Sequence, residues 1–179
     1  MHDEDGFTLI ELLVVMAISA IVLTLSVTAL RSYWFGQALN GSVDGVTTQM
    51  RQAQQQAESE SHPLVYGVWF TTVGDATRWG TLQYDPDPDL SVNCSEIGKR
   101  SFSTGVQVQS VSFDEDAVRS SECRSALGAA GIASAGSAEI AFFYARGTAT
   151  QGTITLEQTN LDRSESLNVT GITGRVSDS

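Results

Sequence analysis

Gly6-Phe7-Thr8-Leu9-Ile10-Glu11-Leu12-Leu13-Val14-Val15-Met16 opens a run in which almost every side chain as far as Leu30 is apolar or small, and Arg31 closes it. At about 1.5 Å per residue, a helix of about 20 residues crosses the roughly 30 Å hydrocarbon core of a bilayer. This run is long enough to do so, and a lone helix satisfies its own backbone in hydrocarbon. Glu11 interrupts it, at the fifth position counting from Phe7. An unpaired carboxylate inside the bilayer costs about 2.5–3.5 kcal/mol on insertion scales. It must find a cation, take up a proton, or sit solvated at the membrane edge.

Beyond Arg31 the helical pattern continues, and no proline appears before Pro63. Leu39, Val43, Val46, Met50, Ala53 and Ala57 are spaced 4, 3, 4, 3, 4, which is one face of a helix. Gln49, Arg51, Gln52, Gln54, Gln55, Gln56 and Glu58 make a polar outer face. A stripe that shrinks from Leu and Met to Ala predicts close packing against a covering sheet; it is too short and its residues too small for a coiled coil. Gly36, Gly41 and Gly45 lower helix propensity by up to about 1 kcal/mol each and allow local bending. One helix is therefore predicted from about Phe7 to Ser59, apolar all round at first and amphipathic later. His62-Pro63 stops it.

The rest reads as β structure. Leu64 to Thr71 is aromatic and β-branched, a strand. Gly74-Asp75 is a turn, and Trp79 to Tyr84 a second strand, with Trp79, Thr81 and Gln83 on one face and Leu82 and Tyr84 on the other. Asp85-Pro86-Asp87-Pro88-Asp89 breaks it. Alternating aspartates invite a calcium reading, but the Gly and distal Glu of an EF-hand loop are missing, so a plain acidic turn is preferred. Val106 to Phe113 alternates and changes phase between Val108 and Val111, as a β-bulge would make it do. Asp114-Glu115-Asp116 reads as a solvated acidic turn. Ser125 to Ser137 is mostly Ala, Gly and Ser, a loop or lid; Gly128 and Gly131 lack the Lys-Ser/Thr of a phosphate loop. Glu139–Tyr144, the segment to Leu156 after the turn at Arg146-Gly147, and Ser166–Thr170 are short strands, and Thr173-Gly174-Arg175-Val176 ends the chain, together an antiparallel meander.

Gly6-Phe7-Thr8-Leu9-Ile10-Glu11 followed by an unbroken apolar helix resembles the class III signal of type IV pilins and type II secretion pseudopilins. The stretch Phe143 through Gly152 to Leu156, then Leu167-Asn168-Val169 and Gly174-Arg175-Val176, resembles the C-terminal signature of the minor pseudopilin H and FimT-like group. Residues 74–137 carry no part of the likeness. The resemblance implies cleavage between Gly6 and Phe7 by a prepilin peptidase, N-methylation of Phe7, and an assembly role for Glu11 as partner of a neighbouring subunit's new amino terminus. A buried charge is tolerable only when paired, so that role makes physical sense. It implies other pilins or pseudopilins, the peptidase, an inner-membrane assembly platform and, before assembly, membrane lipid as partners, and a place that starts assembly or lies near a filament tip. The leader departs from the pattern: Met1-His2-Asp3-Glu4-Asp5-Gly6 is acidic where family leaders carry Lys or Arg. The positive-inside rule counts Lys and Arg, so Arg31 argues slightly against the usual orientation, and a cytoplasmic leader with the C-terminal part outside rests on the resemblance. An ordinary secretory signal fits less well, lacking a basic n-region and a small-x-small site after a short apolar core.

The 179 residues suffice for an anchor and one domain. Acids outnumber bases 21 to 10, a net charge of −11. Nucleic-acid binding needs Lys and Arg for the phosphates, so a DNA-binding surface is disfavoured. Cys94 and Cys123 are an even pair in an exported domain, which favours a disulfide closing about 30 residues; two free thiols are the alternative. His2 and His62 show no zinc spacing with the cysteines, and no metal or cofactor is implied. No catalytic set appears, since a triad would have to use His62 beside the helix-stopping Pro63.

The expected fold is α+β and pilin-like, a long N-terminal α-helix packed by its second half on an antiparallel β-sheet domain. Its parts are a leader at 1–6, a membrane-spanning or filament-core helix at 7–30, an amphipathic continuation at 31–62 and a β-rich head at 63–179. The expected function is that of a minor pilin or pseudopilin, a filament subunit and not an enzyme, held by a single pass in the inner membrane until it is incorporated. The alternatives are a DNA-uptake minor pilin, and a membrane-tethered binding or adhesive module that never enters a filament.

Overall fold

The computed structural model describes residues 8–60, 64–71, 77–86, 93–114, 116–131, 138–171 and 173–178. Helix α1 runs unbroken over Leu9–Ser59. Thr8 starts it with extended backbone (φ −77°, ψ 150°), and its Oγ1 accepts the Glu11 N–H at 3.3 Å. A Thr three residues before a Glu is the order of a capping box. Glu60 ends the helix in extended backbone, its N–H donating to the Gln56 carbonyl at 3.2 Å. All six residues of the predicted stripe, Leu39 to Ala57, are buried. Gly36, Gly41 and Gly45 stay within the α-helix.

The predicted antiparallel sheet is two sheets of four strands. Strands β1 (Val65–Thr71), β2 (Arg78–Tyr84), β3 (Cys94–Ser101) and β5 (Ala138–Phe143) form one in the order β3-β2-β1-β5. Strands β4 (Val106–Phe113), β6 (Gly152–Gln158), β7 (Arg163–Thr170) and β8 (Arg175–Asp178) form the other in the order β4-β6-β7-β8. Every pairing is antiparallel. β1 is central and buried along its length, which is why its sequence is nearly continuously apolar. Tyr66, Val68 and Phe70 join the α1 stripe, Val106, Ile154, Leu156, Leu167 and Val169 in the main core. Val65 and Trp69 face the other way, into a second core with Leu82, Ile140 and Phe142.

The phase change in β4 is a break in register: Val108 pairs with Leu156 and Ser110 with Thr155, leaving Gln109 extra. A similar break leaves Ile97 extra in β3, the strand missed by sequence reading. Gly80 and Gly98 let β2 and β3 approach closely; a Cβ on Gly80 would lie 2.1 Å from the Gly98 carbonyl oxygen and 2.8 Å from the Trp69 ring.

Two expectations fail in the segment that follows β4. Residues 125–129 are not loop: they close helix α2, Ala117–Ala129. Residues 132–137 of the expected lid lie outside the described residues. Asp116 is not a solvated turn residue either. It caps α2, accepting the Arg119 N–H at 3.4 Å, pairs with the Arg119 guanidinium and accepts the Tyr144 hydroxyl at 2.9 Å. α2 lies over the second core, with Ser120, Cys123 and Leu127 turned inward. Cys123 is bonded to Cys94 on β3, with 5.2 Å between the Cα atoms. On the opposite edge Arg124 Nε donates to the Ala138 carbonyl at 2.8 Å, and its Nη2 lies 3.4 Å from both Glu139 carboxylate oxygens. The helix is therefore tied to both edges of the first sheet, β3 and β5.

Candidate functional site

The head uses only the second half of α1. Every described side chain from Leu9 to Trp34 is exposed. This stretch is long and apolar enough to cross a membrane. Three of its hydroxyls are turned back onto the helix: Thr24 donates to the Ala20 carbonyl and Ser26 to the Val22 carbonyl, both at 2.8 Å, and Ser32 to the Ala29 carbonyl at 2.9 Å. That arrangement satisfies them without water. The run ends in Arg31, Tyr33 and Trp34, and the two aromatic residues stand 61% and 66% exposed. Sequence reading stopped at Arg31 and missed them.

Glu11 sits in the first turn of α1, exposed. A carboxylate there faces the positive end of the helix dipole, which favours it by about 0.3–1 kcal/mol. Among the described residues it forms no ion pair. Gly6 and Phe7, the expected processing residues, lie outside the described residues, as do His62 and Asp87 to Asp89 of the acidic turn. Cys94 and Cys123 lie in the head behind the first sheet. The site residues read from the sequence thus fall into two separate places, the free end of the helix and the far side of the head.

Gln158 fastens the helix where it leaves the head. It is fully buried, and its Nε2 lies 3.4 Å from the Phe35 carbonyl oxygen and 3.2 Å from that of Thr104. Its Oε1 accepts from the Asn160 N–H at 3.4 Å and from Asn160 Nδ2 at 3.1 Å. Gly105, at φ +80°, leaves room for this knot: a Cβ there would lie 2.3 Å from Gln158 Oε1. Grooves flank α1 on both sides. One, of about 400 Å³, has Gly41 and Gly45 as floor and Trp79, Arg100 and Phe102 as wall. The other, of about 420 Å³, lies between Arg51, Gln54 and Glu58 of α1 and Arg175 of β8.

A larger cavity, about 650 Å³, opens beside α2 with Asp114, Asp116 and Tyr144 in its lining. Two carboxylates there invite an acid–base reading, which the bonding of Asp116 opposes. Burial pushes its carboxyl up, but hydrogen bonds from Arg119 and Tyr144 and the guanidinium charge outweigh this and hold it below the usual range. Arg119 itself lies over both Tyr84 (5.4 Å) and Tyr144 (5.6 Å). This cluster holds α2 in place and offers no poised proton. Among the described residues no group of three or more His, Cys, Asp or Glu could hold a metal ion.

A spanning-length helix whose distal half packs on an antiparallel β head is a pilin-like architecture, and the comparisons agree. The family described as prokaryotic N-terminal methylation motif matches residues 1–27. No curated protein sequence matches the chain. Among solved structures, the minor pseudopilin EpsH from the Type 2 Secretion System of Vibrio cholerae aligns with a TM-score of 0.52 over 79% of this chain and 95% of that one, at 13% identity. The chain thus carries a prokaryotic N-terminal methylation motif over residues 1–27 and shares the α+β fold of that minor pseudopilin.

Proposed function

We propose that the protein is a minor pseudopilin of the H-like group, a structural subunit of a secretion pseudopilus or a related type IV pilus. The observation that carries this is the exposed apolar half of α1, which starts with a capped turn holding Glu11 and stands clear of a head whose own cores are filled. The likeness to EpsH and the C-terminal signature favour the secretion system and the H-like group. In this reading residues 1–6 are a leader, 7–30 the membrane and filament-core helix, 31–62 its amphipathic continuation and 63–179 the head. A prepilin peptidase cuts between Gly6 and Phe7 and methylates Phe7. The protein waits as a single-pass inner-membrane protein with its head outside, and an assembly platform then passes it into the filament. The head contributes outer surface.

Mass spectrometry of the native protein's N-terminus tests this. The mature chain is expected to begin at Phe7 and to carry one added methyl group. A chain that still begins at Met1 and purifies alone with membranes removes the reading.

A further inference from the structure

α1 is continuous from Leu9 to Ser59, so sequence separation converts directly to length. From Glu11 to Trp34 the axis rises about 35 Å, and from Leu12 to Ser32 about 30 Å. The hydrocarbon core is about 30 Å thick, and about 40–45 Å with the headgroup layers. A tilt of about 20° still leaves Glu11 and Trp34 about 32 Å apart along the bilayer normal. At that tilt Glu11 and Trp34 cannot both lie in hydrocarbon.

Trp and Tyr favour the headgroup level, where a ring meets both apolar and polar surroundings. Tyr33 and Trp34 are suited to it. Both are exposed, and the Tyr33 hydroxyl accepts from Gln37 Nε2 at 3.1 Å on its head-facing side. Arg31, three residues before Trp34, has a stem long enough to bring its guanidinium to the same level. At the other end Thr8 and Glu11 form a polar cap. The residues between the two ends match the hydrocarbon thickness.

From this match we infer that Tyr33 and Trp34 form a collar that docks at the outer lipid headgroups, and that this docking places Glu11 at the inner headgroup layer. The inference rests on the membrane-spanning reading above. It means that the carboxylate stays hydrated while the helix resides in lipid, and loses its water only when the helix moves into a filament. The cost of burying the charge then falls on assembly, where a partner is at hand, and not on insertion.

The test uses the full chain in phosphatidylcholine–phosphatidylglycerol vesicles. Trp69 and Trp79 lie in the head cores, 0% and 4% exposed, so lipid-borne quenchers report Trp34. Bromine near the headgroups should quench severalfold more than bromine at the chain ends, and Trp34→Leu should remove the difference. The native cysteines are bonded to each other, so introduced ones report alone. With a charged maleimide supplied on both sides of the vesicle membrane, Glu11→Cys should react severalfold faster than Ile21→Cys at mid-run. Leu12→Cys, which keeps the carboxylate, should also outpace Ile21→Cys. An inserted protein whose Trp34 is quenched from the chain ends, or whose Cys variants at 11 and 12 react no faster than Ile21→Cys, overturns the placement and leaves the spanning reading intact. A protein that fails to float with vesicles overturns both.

Discussion

At the scale of single residues, two glycines make opposite predictions. A Cβ on Gly41 would meet nothing within 4 Å, although the residue sits inside a helix. Gly41→Ala should stabilise the isolated subunit by about 0.5–1 kcal/mol, the helix-propensity difference. Gly80→Ala should destabilise it by more than about 1 kcal/mol, since its Cβ would run into the Gly98 carbonyl. Denaturant melts of both variants in detergent decide, and a destabilised Gly41→Ala would mean that α1 bends there. Tyr144 gives a prediction about pH. Burial first, then its hydrogen bond to Asp116 and the charge of that carboxylate, push its phenol up from 10.0 to about 12. The folded value exceeds the unfolded one, so this stability is complete below pH 10 and is lost as pH rises through 12. Tyr144→Phe should therefore show a shallower fall in stability over that window. Some slope should remain, because burial and acidic neighbours also raise Tyr66 and Tyr84. An alkaline limb identical to that of the parent would rule out Tyr144 as its source.

Among the elements, α2 is the one held by its ties more than by its sequence. The Cys94–Cys123 bond spans a separation of 29 residues, worth about 3–4 kcal/mol in the chain-entropy model. Cys94→Ser with Cys123→Ser should lose about that much, and the opening should start at α2. In hydrogen exchange the amides of Ala117–Ala129 should lose protection first, while β6 and β7, which lie in the other core, keep theirs. Equal loss in both sheets would show that the two cores unfold as one. The same helix shows where sequence reading runs out. Its residues include four Ala or Gly and three Ser, with no apolar stripe, so nothing in their periodicity separates helix from loop. What makes it a helix is tertiary: the Asp116 cap, the Arg119 cluster, the bond at Cys123 and the Arg124 tie to β5. β3 was equally illegible, because as an exposed edge strand it carries Ser95, Glu96, Lys99 and Arg100 in place of alternating apolar residues. α1 could be read to within two residues at its start, because a stripe and a stop signal both lie in its own sequence. The bulge in β4 was legible for a similar reason, since the phase of Val106, Val108 and Val111 records it.

For the whole molecule, the two ends of α1 have separate tasks. The stripe from Leu39 to Ala57 is consumed by the head, whereas every described side chain from Leu9 to Trp34 is exposed. Glu11 could be found by motif alone, and the structure adds that it stands at a helix start about 40 Å along the axis from Leu39, the first buried residue of that stripe. The Tyr33–Trp34 collar could not be found that way, because its exposure depends on where the head begins. This separation yields the last prediction. Glu11→Ala should leave the melting of the head unchanged, since no head contact is lost and the first turn forfeits only a few tenths of a kcal/mol of dipole interaction. Incorporation into the filament, measured as the fraction of subunit recovered with sheared pseudopili, should fall by about tenfold or more, the equivalent of one buried charge pair worth at least about 1.4 kcal/mol. Glu11→Gln separates charge from shape: it keeps the size and hydrogen-bonding reach of the side chain but cannot neutralise an amine. If Gln restores incorporation, Glu11 acts through its hydrogen bonds and the pairing with a neighbour's amino terminus is wrong. If Gln fails as Ala does, the missing quantity is the charge, and its partner is a cation that the described residues of the single chain do not place beside it.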